Sequence, residues 1–450
     1  MKPNIIFILV DGLRADQCFG ANKTSFTPNI DSLIKNGIYF KQAFSCADGT
    51  TLTLNTILNS LFPFRTGIRA KRLFLTENNY LSFLKKSGYH IYGTAPRVEF
   101  FNSLYNYFEN NDSTYYAGPP AKHVSEIGQT ILELFESKIM KEPWFYYIHL
   151  LDTTALRQES PPYGIGEFYD EKFGKSPYER IVSSIDFGLG KILKKIDMKN
   201  TLIILTADHG ALIPVDNKGS TDFEPNLQLG LKIGKTIMPK QTHKFGAKFF
   251  VNIRKTVKNI RMIRANHGLN SYQRRSRLPY YALSLYDENI HVPLIFVGFN
   301  ITQKIITQQV SVVDIFPTLV EIIGLDFKPK VTDGVSLVSL FANDKLDEKP
   351  IYLHTMPYEK PSSSDLVGIR TSKYKYFRSA NDPKKNINLY DLENDPFENN
   401  NIANIYPDKV NELEKILTNM TSNSSHYTVD EISEEETKRI EQELRRLGYM

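Results

Sequence analysis

Cysteine is scarce in this sequence, and its scarcity excludes two classes of protein. The 450 residues include only Cys18 and Cys46. Two thiols cannot build the disulfide framework of a small secreted domain or a cysteine-rich zinc site. With 41% hydrophobic and 23% charged residues, the composition is instead that of a soluble globular protein with enough apolar residues for a large core.

Long apolar runs are missing as well. No stretch reaches the roughly 18 residues that a membrane-spanning helix needs. The N-terminal segment MKPNIIFILVDG is apolar only briefly before Asp11, which is too short for a signal peptide and typical of a buried strand. We therefore expect a cytoplasmic protein.

Acidic residues are absent from one long segment. Between Lys232 and Arg277 the chain has 13 Lys and Arg residues and no Asp or Glu, although the whole chain has a net charge of only +5. The rest of the protein is therefore acidic. We call residues 215–280 the basic insert.

Within the basic insert, apolar residues recur at helical spacing between cations, at Phe249, Ile253, Val257 and Ile260. Such a helix is predicted to contact an anionic membrane surface peripherally or to guide an anionic, lipid-linked or polymeric substrate. The alternative is a solvated helix that covers the core with one face. No nucleic-acid recognition motif accompanies the charge, so we expect no nucleic-acid partner.

Apolar runs of strand length alternate with helical patterns along most of the chain. Because such continuous runs are typical of strands buried on both faces, the alternation predicts an α/β fold with a large, mostly parallel central sheet. The strand runs are Asn4–Val10, Trp144–Leu151, Thr201–Ala207 and Pro293–Val297, and the helical patterns are Ile30–Asn36, Tyr80–Ser87, Val124–Ser137 and Tyr178–Ile196.

After about residue 330 the strands become shorter and the turns more frequent. The segments IYLH, GIRT, YKYFRS and NINLYDL predict a small antiparallel sheet. The predicted domains are therefore 1–330, which contains the basic insert, a C-terminal subdomain at 331–427 and a helical tail at 428–450.

Polar residues follow two of the buried strands at their carboxyl ends. Asp11 follows the first strand, and Asp208 and His209 follow the strand Thr201–Ala207. In α/β sheets such ends meet at one edge, so two carboxylates and an imidazole could hold a divalent cation there. A turn-forming role for these residues is the alternative.

Thr50 lies in the stretch DGTTLTLNTILNSL, just before a predicted helix over Leu52–Leu61. A hydroxyl beside a bound cation can act as a nucleophile, and the helix N-terminus would bind an anionic substrate. The alternative is that Asp48 or Thr50 simply caps the helix.

Several motifs together resemble the sulfatase family of the alkaline phosphatase superfamily. They occur in the family's order and span nearly the whole chain: PNIIFILVDGLRADQCFG, LFPFRTGI, TLIILTADHG, LYDENIHVPLIFVG, VVDIFPTLVEIIG and NLYDLENDPFENNN. The resemblance implies an alkaline-phosphatase-like sandwich, a C-terminal antiparallel subdomain and metal-dependent attack on a sulfate or phosphate ester.

The chain departs from the family where catalysis is concerned. Counting back from Pro63 by the family's spacing reaches Thr50, where sulfatases have a Cys or Ser that is oxidised to formylglycine, and threonine cannot undergo that oxidation. Gly12 replaces a second metal-binding Asp of many members. Leu54 and Thr154 stand at the positions of the family's Arg and His, and the Lys before YDE is absent.

The remaining residues Asp11, Thr50, Asp208 and His209 resemble the threonine-dependent branch, which includes phosphoethanolamine and lipoteichoic-acid-type transferases. This implies one divalent ion (Zn, Mn, Ca or Mg), a covalent intermediate on Thr50, and hydrolysis or transfer of a phosphate or sulfate ester, lipid-linked or saccharide. A phosphorylated threonine can be attacked at phosphorus, whereas a sulfated one lacks the exit that formylglycine provides. A catalytically degenerate scaffold protein is the alternative.

Four further residues are assigned from the sequence. Thr51, Arg97 and His267 are predicted to bind substrate, Arg97 because it lies near a family substrate lysine and His267 as a replacement for the missing Lys. His149 precedes Asp152 on a buried strand and is interpreted as a core histidine.

Overall fold

The structure is a computed structural model. It describes residues 2–67, 72–116, 124–157, 166–215, 266–278, 284–356 and 365–422, apart from positions 22, 78, 138 and 343, and a few positions outside these ranges. The chain divides into two compact units, Met1–Ala211 with Tyr281–Met450, and Leu212–Tyr280. The predicted helix of the basic insert and most of the predicted helical tail lie outside the described residues.

Twelve strands are assigned within the described ranges. They are β1 Asn4–Val10, β2 Ile38–Phe44, β3 His90–Pro96, β4 Thr114–Tyr115, β5 Trp144–Leu150, β6 Thr201–Ala207, β7 Leu294–Gly298, β8 Lys304–Ser311, β9 Ile351–His354, β10 Leu366–Arg370, β11 Tyr374–Ser379 and β12 Asn388–Asp391.

The α-helices of the same ranges lie between successive strands from β1 to β7, and none separates β7 from β8 in the described residues. They are α1 Pro28–Asn36, α2 Thr50–Asn59, α3 Pro63–Thr66, α4 Tyr80–Lys86, α5 Asn102–Tyr105, α6 Val124–Ser137, α7 Pro177–Leu193, α8 Ser271–Ser276, α9 Asp287–Ile290, α10 Ile315–Ile322, α11 Val338–Phe341 and α12 Pro407–Ser422.

The central sheet has eight strands in the described part of the chain, in the order β4-β3-β5-β1-β6-β7-β2-β8. Strands β4, β3, β5, β1 and β6 run parallel, whereas β7 is antiparallel to both β6 and β2. This confirms the predicted α/β fold. The direction of β7 was not predicted, because an apolar run gives no signal of strand direction.

The core of the sheet is aromatic and fully enclosed. Every residue of β1 is buried, since helices cover both faces of a doubly wound sheet. The Phe7 ring stacks on Tyr147 of β5 and on Phe316 of α10, with centroids 5.8 and 5.7 Å apart. These contacts fix β1 and β5 against α10, and the polar residues that follow both strands are therefore held by a rigid core.

A second, four-stranded antiparallel sheet has the order β12-β11-β10-β9. It confirms the predicted C-terminal antiparallel sheet. Helix α12 packs on β10 and β11, and Leu413 and Leu417 are its buried residues. The proposed boundaries at residues 330 and 427 stay predictions.

No helix of the described residues has both the length and the apolar character needed to cross a bilayer.

Asp314, which precedes α10, gives the fold a pH dependence. Its Oδ1 and Oδ2 accept hydrogen bonds from the backbone N–H groups of Val335 and Ser311 at 2.9 and 3.0 Å. Burial raises the pKa of Asp314 to about 6, although these two N–H groups oppose the rise. The folded state therefore holds this proton more tightly than the unfolded state, and the stabilisation is lost as pH rises from about 4 to about 6.

We expect Asp314→Asn to remove this dependence, because an amide does not titrate. The free energy of unfolding of wild type minus that of the variant should fall by about 2 kcal/mol between pH 4 and pH 7. Urea unfolding at several pH values measures this difference, in which all other titrating groups cancel. A difference that does not change with pH would contradict the assignment.

Candidate active site

The register of two neighbouring strands places Asp11 beside Asp208. Strands β1 and β6 are parallel, with Val10 opposite Ala207, and the two aspartates are the next residue on each strand. Both side chains are fully buried. The carboxylates therefore meet at the carboxyl edge of the sheet, where α/β folds place their ligands.

The Asp11, Asp208 and His209 side chains each offer one ligand atom, and these three atoms lie within 4.8 Å of one another. Asp208 Oδ1 accepts hydrogen bonds from the N–H groups of Gly12 and His209 at 3.1 and 2.8 Å. Its Oδ2 is buried and has no hydrogen-bond partner in the described part of the chain. Leaving such an acceptor unsatisfied is costly, and a bound cation would satisfy it.

The position of His209 also suits a cation. Its Nδ1 lies 2.7 Å from the carbonyl oxygen of Gly210, so Nδ1–H donates and Nε2 carries the lone pair in the neutral imidazole. This arrangement, a ring N–H on a backbone carbonyl, orients most metal-binding histidines. The donor set of two carboxylates and one imidazole thus fits a divalent cation.

Thr50 is the first residue of α2 and faces these ligands. Its Oγ1 donates to Asp11 Oδ2 at 3.3 Å, and only 5% of the residue is exposed. The helix N-cap is Gly49, in an extended conformation, and no side chain caps the helix. The alternative interpretation of Asp48 or Thr50 as the cap is therefore wrong, and the first turn of the helix is open to an anion.

Two residues that sequence reasoning missed fix the loop after β1. The Tyr178 hydroxyl of α7 accepts from the Arg14 N–H at 2.9 Å and donates to the Gly12 carbonyl at 2.7 Å. Thr153 Oγ1, after β5, donates to the Asp11 carbonyl and lies 3.2 Å from Asp11 Oδ1. Since both partners are distant in sequence, no local pattern could have identified them.

Asp48 is a third residue of the site that the sequence did not assign to chemistry. Its Oδ1 accepts from the Met356 N–H at 2.7 Å, and its Oδ2 is buried without a partner in the described ranges. Burial raises the pKa of Asp48 to about 7, and the Met356 N–H and His209 oppose the rise. A carboxyl group with this pKa can take up or release a proton near neutral pH.

The structure describes all three residues that are predicted to bind substrate. Thr51 is buried in the first turn of α2, next to Thr50. Arg97 is exposed just after β3, two strands from β1 at the same edge of the sheet. His267 belongs to the second unit, where it is exposed. Their roles stay predictions.

Gly210 is required by a close backbone approach, which gives a testable expectation. A Cβ at this position would lie 2.2 Å from the Glu288 carbonyl oxygen. Gly210→Ala should therefore displace the loop that carries Asp208 and His209, lower stability by about 1–3 kcal/mol and weaken divalent-cation binding at least ~10-fold.

The matched control is Gly128→Ala in α6, where a Cβ would come no closer than 3.9 Å to Ile192. It should leave cation binding unchanged and raise stability by up to about 1 kcal/mol. Calorimetric titration with Mn²⁺ measures the affinities. Equal affinity in Gly210→Ala and wild type would show that the loop position is unimportant for the site.

The profile of the Sulfatase family matches residues 3–325 of this chain. A second profile, the C-terminal region of N-sulphoglucosamine sulphohydrolase, matches residues 280–426. Since the first covers well over half of the sequence, the chain belongs to the sulfatase family. Its fold is alkaline-phosphatase-like.

Two relatives differ in how much of the chain they match. Mouse arylsulfatase K is 28% identical over 172 residues, which is 37% of this chain and only 30% of that protein. The ulvan-active sulfatase of Formosa agariphila is 23% identical over 461 aligned residues, 94% of this chain and 80% of that protein.

Solved structures agree on the fold. A 2-O GAG sulfatase has a TM-score of 0.65 at 17% identity, with 94% of this chain and 93% of that chain covered. The phosphonate monoester hydrolase of Agrobacterium radiobacter has a TM-score of 0.61 at 15% identity, with 94% and 96% covered.

Proposed function

We propose that this chain is a metal-dependent enzyme that transfers the phosphoryl or sulfuryl group of an ester through a covalent intermediate on Thr50. The observation that supports this most directly is the Thr50 hydroxyl, which lies 3.3 Å from the Asp11 carboxylate at the open end of α2. A hydroxyl in this position can attack an anionic group bound at the helix N-terminus.

Asp11, Asp208 and His209 would hold one divalent cation, and Zn, Mn, Ca and Mg are all compatible with their oxygen and nitrogen ligands. Bound there, such a cation lowers the pKa of a neighbouring hydroxyl and offsets negative charge on the transferred group.

The side chains of this chain supply the other parts of the reaction. Thr50 Oγ forms the new bond to phosphorus or sulfur as the ester bond breaks, and the alcohol leaves with a proton. Asp11 Oδ2, which accepts the hydrogen bond of the Thr50 hydroxyl at 3.3 Å, is placed to take the proton from Thr50. Water or an acceptor alcohol then attacks the phosphorus, which breaks its bond to Oγ and restores the hydroxyl.

The substrate class follows from the relatives and from the nucleophile. Relatives named for ulvan and for GAG favour a sulfated saccharide, and the hydrolase named for phosphonate monoesters favours phosphorus. Threonine favours phosphorus, because a sulfated threonine is released only by attack at sulfur. A lipid-linked substrate, peripheral membrane contact and a cytoplasmic location are proposals based on the basic insert and on sequence composition.

The alternative is a scaffold protein, which Leu54 and Thr154 favour because they replace a family Arg and His. Cation binding distinguishes the two proposals. We expect wild type to bind one equivalent of Mn²⁺ or Zn²⁺ and Asp208→Asn to bind at least ~100-fold more weakly. Elemental analysis after dialysis, with turnover of a panel of phosphate and sulfate esters, measures both properties. A folded wild type that binds no cation would favour the scaffold.

A further inference from the structure

His149 lies on the same face of the sheet as the candidate cation ligands. It pairs with Leu9 across the parallel strands β5 and β1, so the two side chains point to one face. Asp11 is two residues after Leu9 and continues that face. His149 is therefore two residues before the carboxyl edge at which Asp11 lies, on the strand next to β1.

The hydrogen bonds of His149 fix which ring nitrogen carries its proton. The Tyr147 hydroxyl lies 3.1 Å from His149 Nδ1. Tyr147 is fully buried, and burial raises the pKa of its phenol well above the ordinary value, so the O–H is retained. Within the described ranges Nδ1 is the one acceptor this O–H has. Nδ1 therefore accepts, and the proton of the neutral imidazole is on Nε2.

The Nε2–H donor is buried and has no hydrogen-bond partner in the described part of the structure, although the ring packs against Phe101 with centroids 5.3 Å apart. Thr154 Oγ1, which follows the same strand, is likewise buried and without a partner there. An unsatisfied buried donor costs about 1–3 kcal/mol, so a partner is expected in the functional state. A cation cannot satisfy a donor. The partner of His149 must therefore supply an oxygen.

We propose that His149 Nε2–H donates a hydrogen bond to an oxygen of the phosphoryl or sulfuryl group bound at Thr50, and that Thr154 Oγ1 supports the same group. This assignment rests on the function proposed above and adds hydrogen-bond donors for the bound anion to the ligands for the cation. Carboxylate oxygens face the cation, whereas neutral donors face the oxyanion.

The chemistry of the donor suits this role. Burial lowers the pKa of His149, although the carboxylates of Asp208 and Asp11 oppose that effect, and the imidazole stays neutral at pH 7. A neutral N–H in a buried site binds an oxyanion without introducing a second charge beside the cation. The interpretation of His149 as only a core histidine leaves its Nε2 unexplained.

Inorganic phosphate and inorganic sulfate test the assignment without any need for the natural substrate. They are titrated calorimetrically into protein loaded with Zn²⁺, for wild type, His149→Phe and His149→Gln. We expect His149→Phe to bind the preferred anion at least ~10-fold more weakly, with cation affinity unchanged within about twofold. His149→Gln keeps an N–H donor, so its anion affinity should lie between those of wild type and His149→Phe.

The matched control is Tyr146→Phe. Tyr146 lies earlier on β5, next to Tyr147 and on the face opposite to His149, and its hydroxyl is hydrogen-bonded to Thr94 Oγ1 at 2.7 Å. Tyr146→Phe should be less stable than wild type and bind the anion with the wild-type affinity. Unchanged anion affinity in Zn²⁺-loaded His149→Phe would overturn the assignment and leave a buried water as the partner of Nε2.

A measurement on the wild type covers the case in which His149→Phe does not fold. In protein with ¹⁵N-labelled histidine and Zn²⁺ bound, adding phosphate should move the His149 Nε2–H resonance. If phosphate saturates the protein and the resonance does not move, the role assigned to His149 is wrong, but the proposed function is not contradicted. A wild type that binds neither Zn²⁺ nor phosphate would instead contradict the proposed function, and this assignment with it.

Discussion

Thr50→Val is expected to reduce turnover by about 10³-fold or more while the protein stays folded. Valine keeps the shape of the side chain and removes only the hydroxyl, so the loss isolates the nucleophile. Among the residues that the structure describes, the hydroxyl makes one side-chain hydrogen bond, at 3.3 Å to Asp11 Oδ2, so its removal should cost little stability. Steady-state kinetics on the ester panel, with Mn²⁺ present, measures the effect.

Thr50→Ser is the matched control, because it keeps the hydroxyl and should retain measurable turnover. Full activity in Thr50→Val would move the assignment to Thr51 or Cys46. Cys46 is a poor alternative at neutral pH, since it is fully buried and burial raises the pKa of its thiol to about 12. The thiolate that a cysteine nucleophile needs would be scarce there.

Lys375→Met is expected to lower the free energy of unfolding by about 3–5 kcal/mol. The Lys375 side chain on β11 is fully buried, and its Nζ lies 2.5 Å from Asp287 and 2.7 Å from Glu398. Arg370 makes a further ion pair with Asp287 at 2.8 Å. Removing one cation from this cluster leaves buried negative charge without compensation.

The charges of the cluster explain the size of the effect. Burial opposes the ionisation of Asp287, but Arg370 and Lys375 hold its pKa well below the ordinary range. Burial raises the pKa of Glu398 to about 7, although Lys375 opposes that rise. Without Lys375, the protonated form of Glu398 is favoured further. The double variant Lys375→Met/Glu398→Gln should therefore recover part of the lost stability.

The ionic cluster also bears on the site. Asp287 begins α9, whose Asn289 and Glu288 carbonyls accept from the Gly210 and Ala211 N–H groups at 2.7 and 3.0 Å. We therefore expect Lys375→Met to weaken cation binding as well. The surface control Lys385→Met breaks an exposed pair with Asp382 and should cost no more than about 1 kcal/mol. Similar losses in the two variants, measured by urea unfolding, would contradict the account of the buried cluster.

The sequence predicted the parts of the site that depend on strand ends. Asp11, Asp208 and His209 each follow an apolar run, and parallel strands bring such ends together without further information. Thr50 was identified by the family spacing, and its hydroxyl lies 3.3 Å from Asp11 Oδ2. Its role as the nucleophile stays a proposal.

The residues that sequence reasoning missed act through long-range contacts. Tyr178 reaches Gly12 across 166 positions, and the carboxylate of Asp48 meets the backbone of Met356 across 308 positions. No periodicity or motif encodes such pairs. The role proposed for His149 was not predicted from the sequence either, because a histidine on an apolar strand gives the same pattern whether or not its second ring nitrogen has a hydrogen-bond partner.

The intact mass of the protein tests the central claim most directly. Zn²⁺-loaded wild type and Thr50→Val are exposed to pools of phosphodiesters, phosphomonoesters and sulfate esters, then quenched in acid. The account predicts a phosphoryl or sulfuryl adduct on wild type that maps to Thr50 on fragmentation and is absent from the variant. An active, cation-loaded wild type with an adduct at another residue, or with turnover undiminished in Thr50→Val, would contradict it.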